Sequence, residues 1–227
     1  MQYPTATQAG TFTVEQNKVL RNTYMMLALT MIPTVIGAFV GMSTNFSFMA
    51  ESPIMSALLM FGAMMGMMFA VSALRNSVWG IAALLGFTFV AGVFLGPILQ
   101  VALHFSNGAQ LIGLAAGGTG IIFFSLATIA TVTKKDFSFM GKFLFIGLIL
   151  LIVASLANLF FQIPAMSLTL SSIAVLIFSA FILYDVSRIV HGGETNYVMA
   201  TMGLFLSIYN LFISLLQLLM AFSGERD

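Results

Sequence analysis

A carboxylate inside an apolar run is the first place to look for chemistry in this chain. Ser179-Ala180-Phe181-Ile182-Leu183-Tyr184-Asp185-Val186-Ser187-Arg188-Ile189-Val190 sets Asp185 at the end of a charge-free stretch. A charged side chain in hydrocarbon costs roughly 2.5–3.5 kcal/mol on insertion scales, so it calls for a partner or a task. Two cations offer partnership. Arg75 ends an earlier apolar stretch on the same side of the membrane, by the count of spans, and Arg188 lies one helical turn beyond Asp185. Arg75 has a plainer alternative, reaching out to the headgroups along its own stem. A second polar set runs through the last apolar stretch. Gly203, Ser207, Asn210, Ser214 and Gln217 recur at steps of 4, 3, 4 and 3, which places them on one helical face. A polar face in lipid must meet protein or water. Either its side chains bond to neighbouring helices or they line a water or ion path. Both readings put the last helix in the middle of a bundle.

Other chemistry lacks its parts. His191-Gly192-Gly193-Glu194 offers two potential metal ligands, but the paired glycines break the helix that would hold them in register. His-Glu-x-x-His and Gly-x-Ser-x-Gly do not occur, and the histidines, His104 and His191, fall on predicted loops at opposite faces. The sequence shows no Gly-rich phosphate loop and no soluble domain to carry one. The expected protein is not an enzyme and takes no cofactor. Met60, Met64, Met65, Met67 and Met68 suggest soft-metal ligation, but they go all round one span without His or Cys, so filling of core and lipid-facing surface is the reading adopted. There are no cysteines, hence neither disulfides nor thiol chemistry.

The elements that hold these residues follow from where charge is absent. Of 227 residues, 60% are hydrophobic and 7% charged, against about 25% charged in a soluble domain. The bilayer is the natural solvent, and a net charge of +1 gives no nucleic-acid signal. Residues 22–50, 52–74, 76–133, 143–184 and 195–224 contain no Asp, Glu, Lys or Arg. At about 20 apolar residues per crossing they hold one, one, two, two and one span. The predicted spans are 23–43, 54–74, 79–103, 110–132, 143–161, 167–189 and 198–222. The fold class is all-α, seven transmembrane helices. Residues 1–22 read as a polar N-terminal tail, disordered over 1–17 and without a signal peptide. Residues 23–222 read as the helical domain and 223–227 as a short tail. Lys18, Arg21, Arg75, Lys134, Lys135, Lys142 and Arg188 share one side, leaving Arg226 on the other. The positive-inside rule makes the first side cytoplasmic, with the C-terminus outside.

Four spans carry glycines four apart: Gly37/Gly41, Gly62/Gly66, Gly92/Gly96 and Gly113/Gly117. Such pairs let helix backbones approach closely, here within one bundle rather than across a dimer. Gly96-Pro97 should disturb the third span, because Pro97 has no N–H to donate. A kink is one outcome, an opened backbone lining a cavity the other.

Several strings resemble the Bax inhibitor-1 (TMBIM) family. They are Lys18-Val19-Leu20-Arg21-Asn22-Thr23-Tyr24, Gly96-Pro97-Ile98-Leu99, Lys135-Asp136-Phe137-Ser138-Phe139, His191-Gly192-Gly193-Glu194-Thr195-Asn196-Tyr197 and Ser207-Ile208-Tyr209-Asn210-Leu211-Phe212. The likeness runs through nearly the whole chain after its first 15 residues. It implies seven helices with the last surrounded by the other six, and a bacterial inner-membrane location. It implies a partner, the membrane-bound ATP-dependent protease FtsH, which bacterial members bind and slow. Other members resemble pH-sensitive calcium leak channels, in which two aspartates share a proton and an arginine latches onto one of them. Asp185 matches the first acid and Arg75 the arginine. Ser207 stands where the second acid would be, and a serine neither titrates nor attracts calcium by charge. The family therefore suggests two readings. One is an FtsH modulator. The other is a calcium or proton leak around Asp185 and Arg75, with Arg188, Ser207 and Asn210 along the path and Glu194 a substitute acid on the loop. Asp185 is the one calcium candidate.

Overall fold

A computed structural model of the chain describes residues 6–47, 51–133 and 135–224, with side chains from Glu15 onward. Its main helices are α1 (Ala6–Ser43), α2 (Pro53–Leu74), α3 (Val78–Phe94), α4 (Gly96–Leu103), α5 (Gly108–Thr133), α6 (Gly141–Phe161), α7 (Pro164–Val190) and α8 (Tyr197–Gly224). A 3-10 turn, Ser138–Met140, leads into α6. Seven segments are long and apolar enough to cross a membrane: Glu15–Ser43, Pro53–Leu74, Val78–Leu103, Gly108–Thr133, Ser138–Phe161, Pro164–Val190 and Tyr197–Gly224. Six agree with the predicted spans to within a few residues. Lys134 and much of the C-terminal tail, including Arg226, lie outside the described residues.

The first helix departs from expectation. It is helical from Ala6, where the sequence suggested a disordered tail. Once the apolar span has formed, each further residue adds a hydrogen bond without a new nucleus. Glu15, Gln16 and Lys18 are adequate helix formers, and Val19 and Leu20 already pack on the main core.

In lipid, helices associate through close packing and hydrogen bonds rather than release from water. The α1–α3 seam is the most extensive contact in the bundle. A methyl group on Gly37 would overlap the Phe89 carbonyl, and one on Gly92 the Thr34 carbonyl. Gly41 and Gly96 stand directly against each other. Gln100 closes the far end of the seam. Its Nε2 donates toward the carbonyls of Gly41 (3.3 Å), Met42 (2.9 Å) and Thr44 (3.0 Å). The other two glycine pairs behave differently, because a methyl on Gly62, Gly66, Gly113 or Gly117 would meet nothing within 4 Å.

The third crossing breaks at Leu95, between α3 and α4. The Val93 carbonyl, which Pro97 cannot serve, lies against the Gly41 backbone. The break is thus a kink covered by α1.

α8 packs against α1, α2, α3, α4, α5 and α7. The fifth crossing packs on α7. The core centres on Phe87 and Phe205, fully buried and edge-on at 5.8 Å, with Leu84, Ile182, Leu204 and Leu211 around them. Met64, Met67 and Met68 of α2 fill gaps against this core. Buried threonines satisfy themselves: Thr23, Thr30, Thr34 and Thr119 each donate to a carbonyl three or four residues back.

Candidate functional site

α7 carries Asp185 to the end of the bundle where the α7–α8 turn lies. Its carboxylate accepts a hydrogen bond from Ser207 of α8 at 3.4 Å, and the backbone of Gly203 leaves room beside it. Asp185 is half-buried at the floor of a cleft of about 230 Å³, whose walls include Met68, Arg188, Glu194, Met199 and Leu206.

The turn above this cleft is built residue by residue. α7 ends at Val190, and Gly192 adopts a left-handed conformation (φ 75°), which lets the Gly193 amide donate back to the Arg188 carbonyl at 2.8 Å. His191 Nδ1 lies 2.8 Å from the Ser187 carbonyl. Arg188 turns toward Glu194 (3.6 Å) and the Gly193 carbonyl (3.2 Å), with its guanidinium 5.5 Å from the Tyr184 ring centre. Glu194 also accepts from the Asn196 amide at 3.0 Å. His191 and Glu194 therefore have separate partners rather than a shared ligand position.

Asn196 organises the start of α8. Its Oδ1 accepts from the amides of Val198 (3.0 Å) and Met199 (3.1 Å), capping the helix. Its Nδ2 donates to the Arg75 carbonyl (3.1 Å) and to Asn76 Oδ1 (2.9 Å), tying the α2–α3 turn to α8.

The structure brings Asp185 and Ser207 together. Arg75 is exposed, and among the described residues the ion pair formed is Arg188–Glu194, so Asp185 pairs with neither arginine. Asn196 holds Arg75 by its backbone and leaves the side chain outside. Arg75→Ala should accordingly change thermal stability in detergent by no more than about 0.5 kcal/mol, the usual range for an exposed substitution. A loss above about 1 kcal/mol would give the guanidinium a structural partner that this geometry lacks.

The polar face of α8 is mostly self-satisfied. Ser207 also donates to the Gly203 carbonyl, Asn210 to that of Leu206 (2.8 Å), and Ser214 to that of Asn210 (2.8 Å). Gln217 accepts from Ser171 of α7 at 2.8 Å. Together with Ser207–Asp185 this stitches α7 to α8 at two levels. Tyr209 donates to the Ala91 carbonyl of α3 at 2.9 Å.

A second fastening joins the α5–α6 turn to α7. Fully buried Ser187 accepts from the Phe137 amide (2.9 Å) and donates toward the Lys135 carbonyl (3.3 Å). Asp136, outside the spans, accepts from the Ser138 amide at 2.8 Å. The Ser138 hydroxyl and amide, helped by positive charge on His191, hold its carboxyl below the ordinary 3.8. A lowered carboxyl stabilises the fold above its unfolded value, and that support is lost as pH falls through the folded value. The protection of the Ser138 amide, its exchange rate relative to that of an unfolded chain at the same pH, should hold steady at neutral pH and fall only once the pH drops below 3.8.

Sequence reasoning singled out neither Asn196, Gln100 nor Ser187. Asn196 had a readable signal, a capping residue one position before a helix. Gln100 and Ser187 had none, because their partners lie 50 or more residues away.

Seven crossing helices joined by short turns, with a carboxylate-floored cleft at one end, define a polytopic helical membrane protein. A family model described as "Inhibitor of apoptosis-promoting Bax1" matches residues 16–224. The chain belongs to this family, the Bax inhibitor-1 family. It is similar to the "Modulator of FtsH protease YccA" of Escherichia coli K12, with 39% identity covering 89% of this chain and 90% of that protein. The same identity holds for the "Inner membrane protein YccA" of Escherichia coli O6:H1. An "Uncharacterized membrane protein" of Vibrio cholerae is 42% identical, covering 91% of each chain.

Proposed function

We propose that this chain is an inner-membrane regulator that binds and restrains the membrane-bound ATP-dependent protease FtsH. The observation that carries this reading is the similarity, over nearly the full length, to a protein named as a modulator of that protease. The fold is compatible with it, since short turns leave the helix faces and the N-terminal arm as the surfaces a membrane partner can reach. The test is reconstitution with purified FtsH and a membrane substrate. Slowed substrate degradation and co-purification are expected, and absence of both would overturn the reading. Deleting residues 1–16 asks whether the arm is the contact, and an undiminished effect would remove the arm from the proposal.

The reading includes an orientation. Seven of the eight cations lie on the side of the N-terminus, which would place that end in the cytoplasm and the C-terminus outside. A C-terminal alkaline phosphatase fusion should be active, and an inactive fusion with an active cytoplasmic reporter would reverse it.

A second reading, a cation leak for calcium or protons, draws on one observation. Asp185 lines an open cleft and, among the described residues, no arginine is bound to its carboxylate. Proteoliposomes with a trapped calcium dye should then show flux that Asp185→Asn abolishes. Flux no greater than in empty liposomes would dismiss it.

A further inference from the structure

The stretch from Lys134 to Phe143 holds three lysines and four phenylalanines or methionines in ten residues. The described part of it is a fixed turn. Ser187 pins Phe137 and Lys135 by their backbones, Asp136 folds onto Ser138, and the Met140 amide donates to the Phe137 carbonyl at 3.0 Å. Gly141 lies under the Tyr184 ring, where even a methyl group would collide, so the start of α6 is held against α7. On this rigid base, Phe139 and Phe143 project outward with 79% and 78% of their surface free. They are four residues apart and lie at the entry of the fifth crossing, Ser138–Phe161. Lys135 precedes them and Lys142 lies between them, and both are exposed.

Two rings held outward at a membrane boundary belong in the upper acyl region, and the adjacent ammonium groups then lie at headgroup level. Rings buried beside cations select for negative headgroups over zwitterionic ones. Asp136, the single acid of the stretch, folds onto Ser138 and keeps its charge, so three lysines against one aspartate leave the stretch at +2. We infer that the turn Lys135–Phe143 is a seat for an anionic phospholipid of the adjoining leaflet. The two phenylalanines hold its chains and the lysines its phosphate. The Ser187 fastening makes the seat preformed, so lipid binding need not order a loose loop. Its occupant is a lipid rather than a soluble phosphate, because the phenylalanines beside the lysines offer acyl chains a surface that a free phosphate cannot use.

The experiment is native mass spectrometry of the full chain, released from detergent with either phosphatidylglycerol or phosphatidylcholine at matched concentration. The wild type should retain phosphatidylglycerol preferentially. A lysine near an anionic surface is worth about 1 kcal/mol, or about fivefold in affinity, so Lys135→Gln with Lys142→Gln should weaken retention about 25-fold. Lys135→Arg with Lys142→Arg should preserve it. Phe139→Ser with Phe143→Ser should reduce retention of both lipids. Arg21→Gln, at a cation elsewhere on the same side, should leave it unchanged. These side chains are exposed, so an unaltered melting temperature certifies each variant. Equal retention of the two lipids by the wild type, or a double glutamine variant as retentive as the wild type, would overturn the seat. An equal loss in Arg21→Gln would replace it with diffuse surface charge, which also overturns it.

Discussion

Gly92→Val is expected to destabilise the bundle by about 3 kcal/mol, the upper end of the usual overpacking range. The reason is what the new side chain would meet. On the α1–α3 seam the obstacle is the Thr34 carbonyl, a backbone group that cannot rotate away. Relief requires the two helices to separate, which would also strain the Gly41–Gly96 contact and pull Gln100 from its carbonyls. Unfolding in detergent, followed by circular dichroism against denaturant, measures the effect. Gly62→Ala and Gly113→Ala supply the contrast, because neither position has an atom within 4 Å of the added methyl. Alanine is the better helix former by up to about 1 kcal/mol, so these two should be neutral or mildly stabilising. A uniform response across all three positions would mean that the seam contributes nothing special.

Asn196→Ala is expected to cost about 2–3 kcal/mol, combining a lost helix cap with two lost tertiary hydrogen bonds. Loss of the cap leaves the amides of Val198 and Met199 without that acceptor. The tertiary bonds release the Arg75 carbonyl and Asn76. Asn196→Asp separates the two contributions, since a carboxylate still caps α8 but cannot donate to Arg75. It should recover about 1 kcal/mol of the loss, the usual worth of a cap. Proteolysis at the α2–α3 turn gives a local readout, with cleavage rising in both variants. If Asn196→Asp matched the wild type in stability and cleavage, the tie between turns would carry no weight.

The crossings were readable in the sequence for a simple reason. Charge is so costly in hydrocarbon that its absence marks the apolar stretches, and Glu51, Arg75, Lys134 and Glu194 mark four of the gaps; the other two, at His104–Gly108 and Gln162–Pro164, carry polar and helix-breaking residues instead. The helical arm from Ala6 was hidden because polar residues extend an existing helix without leaving an apolar signature. The glycine pairs show the limit most clearly. Gly37/Gly41 and Gly62/Gly66 look alike in sequence, yet one pair faces a backbone and the other, among the described residues, has no neighbouring helix within 4 Å of an added methyl. Spacing reveals a smooth face and says nothing of what lies opposite.

The site divides the same way. The helical spacing that put Ser207 on one face of α8 foretold that the face would meet protein or water, and Ser207 does reach Asp185. The arginines went differently. Which cation turns to which acid depends on the turn after α7, where Gly192 reverses the chain and delivers Glu194 to Arg188. That path depends on a single positive φ, and residue spacing could not supply it.

The seam between α1 and α3 also sets a schedule. α1 leaves the ribosome before α3, and the helix it packs against most extensively is not yet made. Gln100 lies 58 residues beyond Met42, whose carbonyl it will serve. During that interval the glycines of α1 face whatever surrounds the nascent chain. Thr30 and Thr34 need no help, because each already donates to its own helix. The first helix is thus equipped to wait, and its place in the bundle is settled only when the third arrives.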